Sequence, residues 1–353
     1  NPLRKRFFRE LREEIGKYLV VFILMAATIG FVSGFLVADG SMLTAYNNSF
    51  QKYNIEDGKF ETEEKIYKNQ QEDIEKKGVT LYENFYVEKA LLNGTTLRIF
   101  KNRTEVDKVC LMKGRLPEKA GEIAIDRMYA DNNKLSVGDS LQSGKRKWKI
   151  TGLVALSDYS ALFQNNNDTM FDAVKFGAAV VTEEEFSSFN ESQLVYNYAW
   201  TYTNKPKTEA QEKKKSEDFM EELSKDVTLE EFVPQYLNQA IHFTGDDMGG
   251  DRAMIIVLLY IVIAIMAFVF GITTSNTIRK EAGVIGTLRA SGYTKNELIR
   301  HYMFMPLLVT FIGAIVGNLL GYTVFKNVCA DMYYGSYSLP TYVTLWNAEA
   351  FLL

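Results

Sequence analysis

The sequence predicts an α-helical transmembrane protein with an α+β extracellular domain, and three observations carry that reading. Residues 18–38, 253–277 and 302–325 form three runs without a single Asp, Glu, Lys, Arg or His, and a helix needs roughly 20 apolar residues to cross the hydrocarbon core. Lys and Arg crowd the chain just before the first run and again between the second and third. The long stretch between the first two runs is charged and mixes helical with strand-like patterns. Beside this segregation the net charge of -4 says little, because its distribution carries the information.

Residues 1–17 read as a cytoplasmic amphipathic helix. Leu3, Phe7, Leu11, Ile15 and Leu19 recur every four residues with basic residues between them. Such a helix can lie in the membrane interface, and equally can continue into the first membrane helix; the sequence leaves both open. Residues 18–38 follow as the first span. They are too long for the apolar core of a signal peptide and lack an A-x-A-like cleavage site, so a retained anchor is expected.

Orientation follows from the basic residues. Arg4, Lys5, Arg6, Arg9, Arg12 and Lys17 precede the first run, and Arg279, Lys280, Arg289, Lys295 and Arg300 lie between the second and third. Both segments are therefore expected in the cytoplasm, which puts 39–252 outside the cell. Within 39–252, two charged stretches, 60–77 and 209–225, read as helices. Residues 97–100, 122–126 and 148–154 cluster β-branched and aromatic side chains between Gly, Asn and Asp, as strands do. Residues 203–208 and 244–252 read as linkers. Asp246, Asp247 and Asp251 near Gly249 and Gly250 fit a flexible hinge better than a Ca²⁺ site. Cys110 and Cys329, both placed outside, are expected as unpaired thiols, since a disulfide-stapled fold would use cysteine more densely.

Residues 253–277 and 302–325 are the second and third spans, 278–301 the loop joining them, and 326–348 an extracellular loop. An apolar run resumes at 349–353 and reads as the start of a fourth membrane helix, so a longer polypeptide is expected. Gly30 and Gly34 stand four apart on the first span, and Gly313, Gly317 and Gly321 repeat that spacing on the third. Small residues so spaced let another helix approach closely, which matters because lipid gives no reward for apolar burial. Asn318, among them, is expected to make an interhelical hydrogen bond. Spans free of ionisable groups offer no proton relay or voltage sensor, so the driving force is expected from elsewhere.

Several chemistries drop out. The stretch GDSLQSGKR (138–146) has the wrong glycine spacing for a phosphate loop and Arg146 where Ser or Thr is needed. The only histidines, His242 and His301, are placed on opposite sides of the membrane, which excludes a histidine-based metal site. No Ser/His/Asp set can be assembled. The chain is read as no enzyme, without a cofactor of its own and without a nucleic-acid partner.

The loop between the last two spans reads RKEAGVIGTLRASGYTKNELIRHYM (279–303). Its first half is expected to continue the second membrane helix. Gly292 suits the left-handed cap that ends a helix. Thr294 followed by Glu297 makes a capping-box pattern that starts the next one. Ile278, Ala282, Ile285 and Leu288 form an apolar stripe with Lys280 and Arg289 beside it, as a docking surface would.

In this loop the sequence resembles the FtsX/MacB (type VII) family of ABC transporter permeases, whose motif R-K-E-x-G-x-[IL]-x-[AT]-[LM]-[RK]-A-x-G carries the coupling helix. Arg279, Lys280, Glu281, Gly283, Ile285, Leu288, Arg289, Ala290 and Gly292 occupy its positions, with Thr287 a mild departure. A second block, GRLPEKAGEIAIDRMYADNNKLSVGDSL (114–141) followed by WKITGLV (148–154), resembles the family's MacB-like periplasmic core domain. There Pro117, Gly121 and the Gly138–Asp139 pair shape turns. The stretches 51–77 and 208–226 match nothing in it.

The resemblance implies a permease subunit that couples ATP hydrolysis by a cytoplasmic ABC ATPase dimer to movement of the extracellular domain. ATP would be bound by that partner alone, with Arg279, Lys280, Glu281, Gly283, Ile285, Leu288, Arg289 and Gly292 docking it. The other expected partners are membrane lipid and a second permease copy or second repeat of the same chain. Members export or extract peptide, drug or lipid-like substrates. The alternative is an FtsX-type regulatory transmitter controlling cell-wall hydrolases or a sensor kinase. A plain receptor fits worse, because two short helices meeting at a corner do not lead into a cytoplasmic signalling domain.

Overall fold

The computed structural model describes Arg12 and residues 15–352. The predicted amphipathic helix over 1–17 therefore lies outside the described residues, except for Arg12 and its last turn. The described chain forms two compact units. One is built from the chain up to Ser41, Met248–Asp331 and the stretch from Thr344 on; the other is built from Met42–Asp247 and Met332–Val343.

Helix α1 (Ile15–Lys52) runs on well past Ala38. It stops where Asn54 adopts a φ of 50°, a left-handed conformation that asparagine tolerates better than most residues. Strand β1 (Gly58–Thr62) follows, so the helix expected over 60–77 is corrected at its start. Phe60 is flanked on both sides by charged residues, and in a strand that period-two pattern buries Phe60 while Lys59 and Glu61 stay half-exposed. Only α2 (Lys68–Glu75) is helical there, and it buries the single apolar residue Ile74.

Strands β2 (Val79–Glu83), β3 (Tyr86–Ala90), β4 (Thr96–Lys101), β5 (Cys110–Gly114) and β6 (Glu122–Asp126) come next, then the short α3 (Arg127–Asn132). They are followed by β7 (Ser140–Ser143), β8 (Arg146–Ala155), β9 (Phe176–Val181), α4 (Glu183–Ser187), β10 (Tyr196–Tyr202), α5 (Glu209–Leu223) and β11 (Leu229–Pro234). The predicted strands over 97–100, 122–126 and 148–154 fall within β4, β6 and β8. The rejected phosphate loop is the β7–β8 hairpin, turning at Gly144.

Two sheets result. The smaller has the order β11-β1-β10-β2 and is antiparallel throughout. Its core is aromatic: Trp200 stacks on Phe232 at 4.8 Å and meets Phe219 edge-on at 5.3 Å, and Phe60 stacks on Tyr198 at 5.4 Å. Gly58 is required here, because a Cβ would lie 2.2 Å from the Trp200 ring. The larger sheet has the order β3-β4-β9-β6-β8-β5, with β7 on β8, and its β4–β9 and β6–β8 pairs are parallel. β6 and β9 are buried along their whole length, as strands covered on both faces are. Glu122 is tolerated inside β6 because Arg115 grips it in a two-bond fork, at 2.7 and 2.8 Å. That fork and the N–H of Glu118 hold its carboxyl down at about 2. The block 114–126 is thus structural.

Helix α6 (Gln239–Lys280) passes straight through 244–252, so the expected linker and its glycine hinge are corrected to helix. Ile241, Thr244 and Met248, spaced three and four apart, are all fully buried, and packing overrides the poor propensity of Gly249 and Gly250. After the short α7 (Ala282–Ala290), α8 (Lys295–Leu320) runs through a π-helical turn over Gly321–Phe325 into α9 (Lys326–Ser336). The loop expected from 326 is therefore helical as far as Ser336. A short α10 (Ala348–Leu352) ends the described chain. The stretches Ile15–Lys52, Gln239–Lys280 and Lys295–Ser336 are long and apolar enough to cross a membrane. Cys110 and Cys329 are both buried free thiols.

Candidate docking corner

Residues 278–294 turn the chain from α6 into α8. The expectation that α6 runs on unbroken fails at Glu281, whose φ of -97° and ψ of 11° separate α6 from α7. The break coincides with a side-chain anchor: the Tyr302 hydroxyl, at the start of the next apolar stretch, donates to Glu281 Oε2 at 2.5 Å. Arg279 and Lys280 form the last turn of α6, where cations oppose the negative end of the helix dipole.

The other end of α7 closes in a Schellman arrangement. The Tyr293 N–H reaches the Leu288 carbonyl at 3.2 Å and the Gly292 N–H reaches that of Arg289 at 3.1 Å. Gly292 makes this possible with a φ of +96°, a conformation that costs a side-chain-bearing residue roughly 1–2 kcal/mol. Thr294 then caps α8. Its Oγ1 accepts from the Glu297 N–H at 3.3 Å, and Glu297 Oε2 accepts from the Thr294 N–H at 2.8 Å. These bonds pull the Glu297 carboxyl below its usual range.

No residue of α7 is buried. Ile285 and Leu288 are half-buried, whereas Ala282, Gly283, Val284, Gly286, Thr287 and Arg289 are exposed. The stripe read from the sequence is therefore split. Ile278 is 44% exposed, while Ile285 and Leu288 turn partly inward. The outward face is small and smooth, a property carried by Val284 and Gly286, which sequence reasoning passed over, and by Thr287, noted there only as a departure from the motif. Their signal was present in Gly286 and Thr287, which lie three and four residues after Gly283 and so share its face of the helix.

Beside the corner lies a cleft of about 180 Å³ lined by Lys17, Thr277, Lys280, Glu281, His301 and Tyr302. Lys17 Nζ donates to Thr277 Oγ1 at 2.8 Å. Lys17, Thr277 and Tyr302 were also missed, because they sit at the boundaries of the apolar runs, where hydropathy gives no contrast.

The glycines meet across α1 and α8. A Cβ on Gly317 would lie 2.9 Å from Ile29 Cβ, one on Gly313 would lie 3.1 Å from Met25 Cβ, and one on Gly321 would lie 2.9 Å from Ser33. From the other side, Gly30 and Gly34 leave no room for a Cβ against Phe325, at 3.0 and 2.6 Å. Ser33 Oγ donates to Asn318 Oδ1 at 3.0 Å, a polar bond between the same two helices.

Residues 256–353 match the family model described as the FtsX-like permease C-terminal domain. Over these residues the chain is similar to an FtsX-like permease domain. The matched stretch contains the whole docking corner, the cleft's Glu281, His301 and Tyr302, and the glycine row of α8. Among solved structures, the chain is similar to the periplasmic region of MacB from Actinobacillus actinomycetemcomitans, with 12% identity and a TM-score of 0.31 over 49% of this chain and 86% of that one. It is also similar to the extracellular domain of the noncanonic ABC-type transporter YknZ from Gram-positive bacteria, with 11% identity and a TM-score of 0.30 over 48% of this chain and 92% of that one. No curated protein sequence matches the chain.

Proposed function

We propose that this chain is the transmembrane permease subunit of an ABC-type transporter. In this reading a separate cytoplasmic ATPase dimer docks on the corner at 278–294, and ATP turnover there moves the α+β domain outside the cell. One observation carries it: a helix with no buried residue is nonetheless fixed at both ends, by Glu281–Tyr302 and by the Gly292–Thr294 caps. A short helix so held, with a smooth outward face and Arg289 at its rim, transmits a push without deforming. The similarity of 256–353 to the FtsX-like permease C-terminal domain supports the same reading. The bare apolar side of α6, with Val257, Ile261, Ile265 and Phe268 about half-exposed or more, would be covered by lipid and by a second permease copy or repeat.

The test is co-purification, in detergent, with an ABC ATPase from the same organism. Arg289→Glu reverses the rim charge and Gly292→Val destroys the left-handed cap. Each is expected to weaken association by tenfold or more, about 1.4 kcal/mol, while Lys214→Glu on α5 leaves it unchanged. Association unaltered by both corner variants would refute the docking role.

A further inference from the structure

The outer strand of the smaller sheet opens onto a cleft that the permease reading does not use. β2 is at the end of the order β11-β1-β10-β2, so one of its edges is unpaired by any strand. Register fixes which backbone groups face out. The Asn84 N–H donates to the Asn197 carbonyl and the Thr203 N–H to that of Gly78. Even-numbered residues of this segment therefore pair with β10, and Leu81 and Glu83 point the other way.

The outward groups of Leu81 are covered. Its N–H donates to Glu75 Oε1 at 3.1 Å and its carbonyl accepts from Gln71 Nε2 at 3.4 Å, both side chains of α2. This is how a protein blunts an exposed edge. The outward N–H and carbonyl of Glu83 have no such cover among the described residues. They lie instead at a cleft of about 300 Å³ between β2 and the loop after β4.

The other residues of that cleft are prepared for hydrogen bonding. Asn84 Oδ1, Asn102 Oδ1 and Arg103 Nε are buried without a hydrogen-bond partner. A buried polar group left unmade costs about 1–3 kcal/mol, so three beside one cleft need an explanation. The rest of the Asn84 and Arg103 side chains is committed. Asn84 Nδ2 donates to Asp107 Oδ2 at 3.1 Å, and both terminal nitrogens of Arg103 hold Asp158, at 2.5 and 2.9 Å. The rim mixes Lys101 with Glu105, so it selects for neither a phosphate nor a polycation.

We propose that this cleft binds a short extended peptide segment, which adds to the free edge of β2 at Glu83 and offers its other edge to Asn102 and Arg103. An extended strand presents a donor and an acceptor on both edges, which matches the outward N–H and carbonyl of Glu83 on one side and the unpartnered Asn102 Oδ1 and Arg103 Nε on the other. The inference does not depend on the docking corner and stands or falls without an ATPase.

The experiment uses the full chain in lipid nanodiscs and hydrogen exchange of the segment containing Glu83. The probe is the blocked tetrapeptide acetyl-Thr-Val-Thr-Val-amide. At about ten times its Kd, it is expected to slow exchange at 79–84 by roughly tenfold. The same peptide N-methylated at alternate residues, which cannot pair along an edge, is expected to have no effect. Glu83→Pro removes the outward N–H, which takes no part in pairing with β10, together with the Lys65 ion pair, and is expected to abolish the protection; Glu83→Gln removes the ion pair alone and keeps the protection. No protection of the wild-type chain at millimolar peptide overturns the proposal. So does equal protection by the N-methylated peptide, an outcome that needs no variant to fold.

Discussion

Around Asp107 the α+β domain buries three carboxylates, Glu56, Asp107 and Asp158, whereas the corner at 278–294 buries no side chain of α7. The two regions are fixed by different means. At Asp107 the holding is done by side chains brought from distant parts of the chain. The Glu56 N–H donates to Asp107 Oδ1 at 2.9 Å, Asn84 supplies a second donor, and Arg103 forks onto Asp158. At the corner, apart from the Tyr302–Glu281 bond, the holding is local and largely backbone, with partners three to five residues apart. The first design is rigid but costly to disturb. The second leaves its surface free for another molecule, which is what a docking element needs.

The largest effect that would break this comparison is at the ion pair. Arg103→Ala leaves Asp158 buried and unmatched, and is expected to destabilise the α+β domain by about 3–5 kcal/mol. Replacing both partners, Arg103→Met with Asp158→Leu, is expected to cost far less, because no charge is left stranded. Hydrogen-exchange protection of β4 and β9 reads both. If the single and double variants lose equal protection, the pair is not what fixes this junction.

A smaller effect concerns pH. Burial, and next the neighbouring Asp158, push the Asp107 carboxyl up to about 7, against about 3.9 in an unfolded chain. The native state therefore holds a proton that the unfolded state has released. Its contribution to stability is complete below about pH 4 and is lost as pH rises through about 7. The α+β domain is expected to lose on the order of 1 kcal/mol per pH unit across that window, and Asp107→Asn is expected to flatten the slope. Asp126, raised to about 6 chiefly by burial, adds to the trend in the same direction. A stability that climbs between pH 5 and 7 would contradict this sign.

The same contrast explains what could be read in advance. The apolar runs, the Gly292 turn and the Thr294–Glu297 box are encoded within a few residues, and they were legible as sequence. The fate of 244–252 was not, because Ile241, Thr244 and Met248 are buried by contacts that no local pattern displays. The strand at Phe60 was hidden by the charges around it, since a Lys–Phe–Glu alternation in a Glu- and Lys-rich stretch looks helical until its neighbours β10 and β11 are known. The Asp107 junction was invisible for the strongest version of this reason. Its members lie at positions 56, 84, 107 and 158, and only the fold assembles them.

The smallest expected effect sharpens the comparison from the corner's side. Thr294 holds the start of α8 through one hydroxyl, which accepts the Glu297 N–H and donates to Glu297 Oε2 at 2.8 Å. Thr294→Ala removes both bonds but leaves the Glu297 carboxylate on the Thr294 N–H. Loss of a capping side chain costs about 1 kcal/mol, so amide exchange over 295–298 is expected to quicken by roughly fivefold. The loss should remain local, because the Schellman bonds of Gly292 and Tyr293 do not involve this hydroxyl. Binding of the ATPase is then expected to weaken less than in Gly292→Val, which disrupts the turn itself. A Thr294→Ala chain that exchanged faster along all of α7 would show that the corner is held as one unit, rather than by two separate caps.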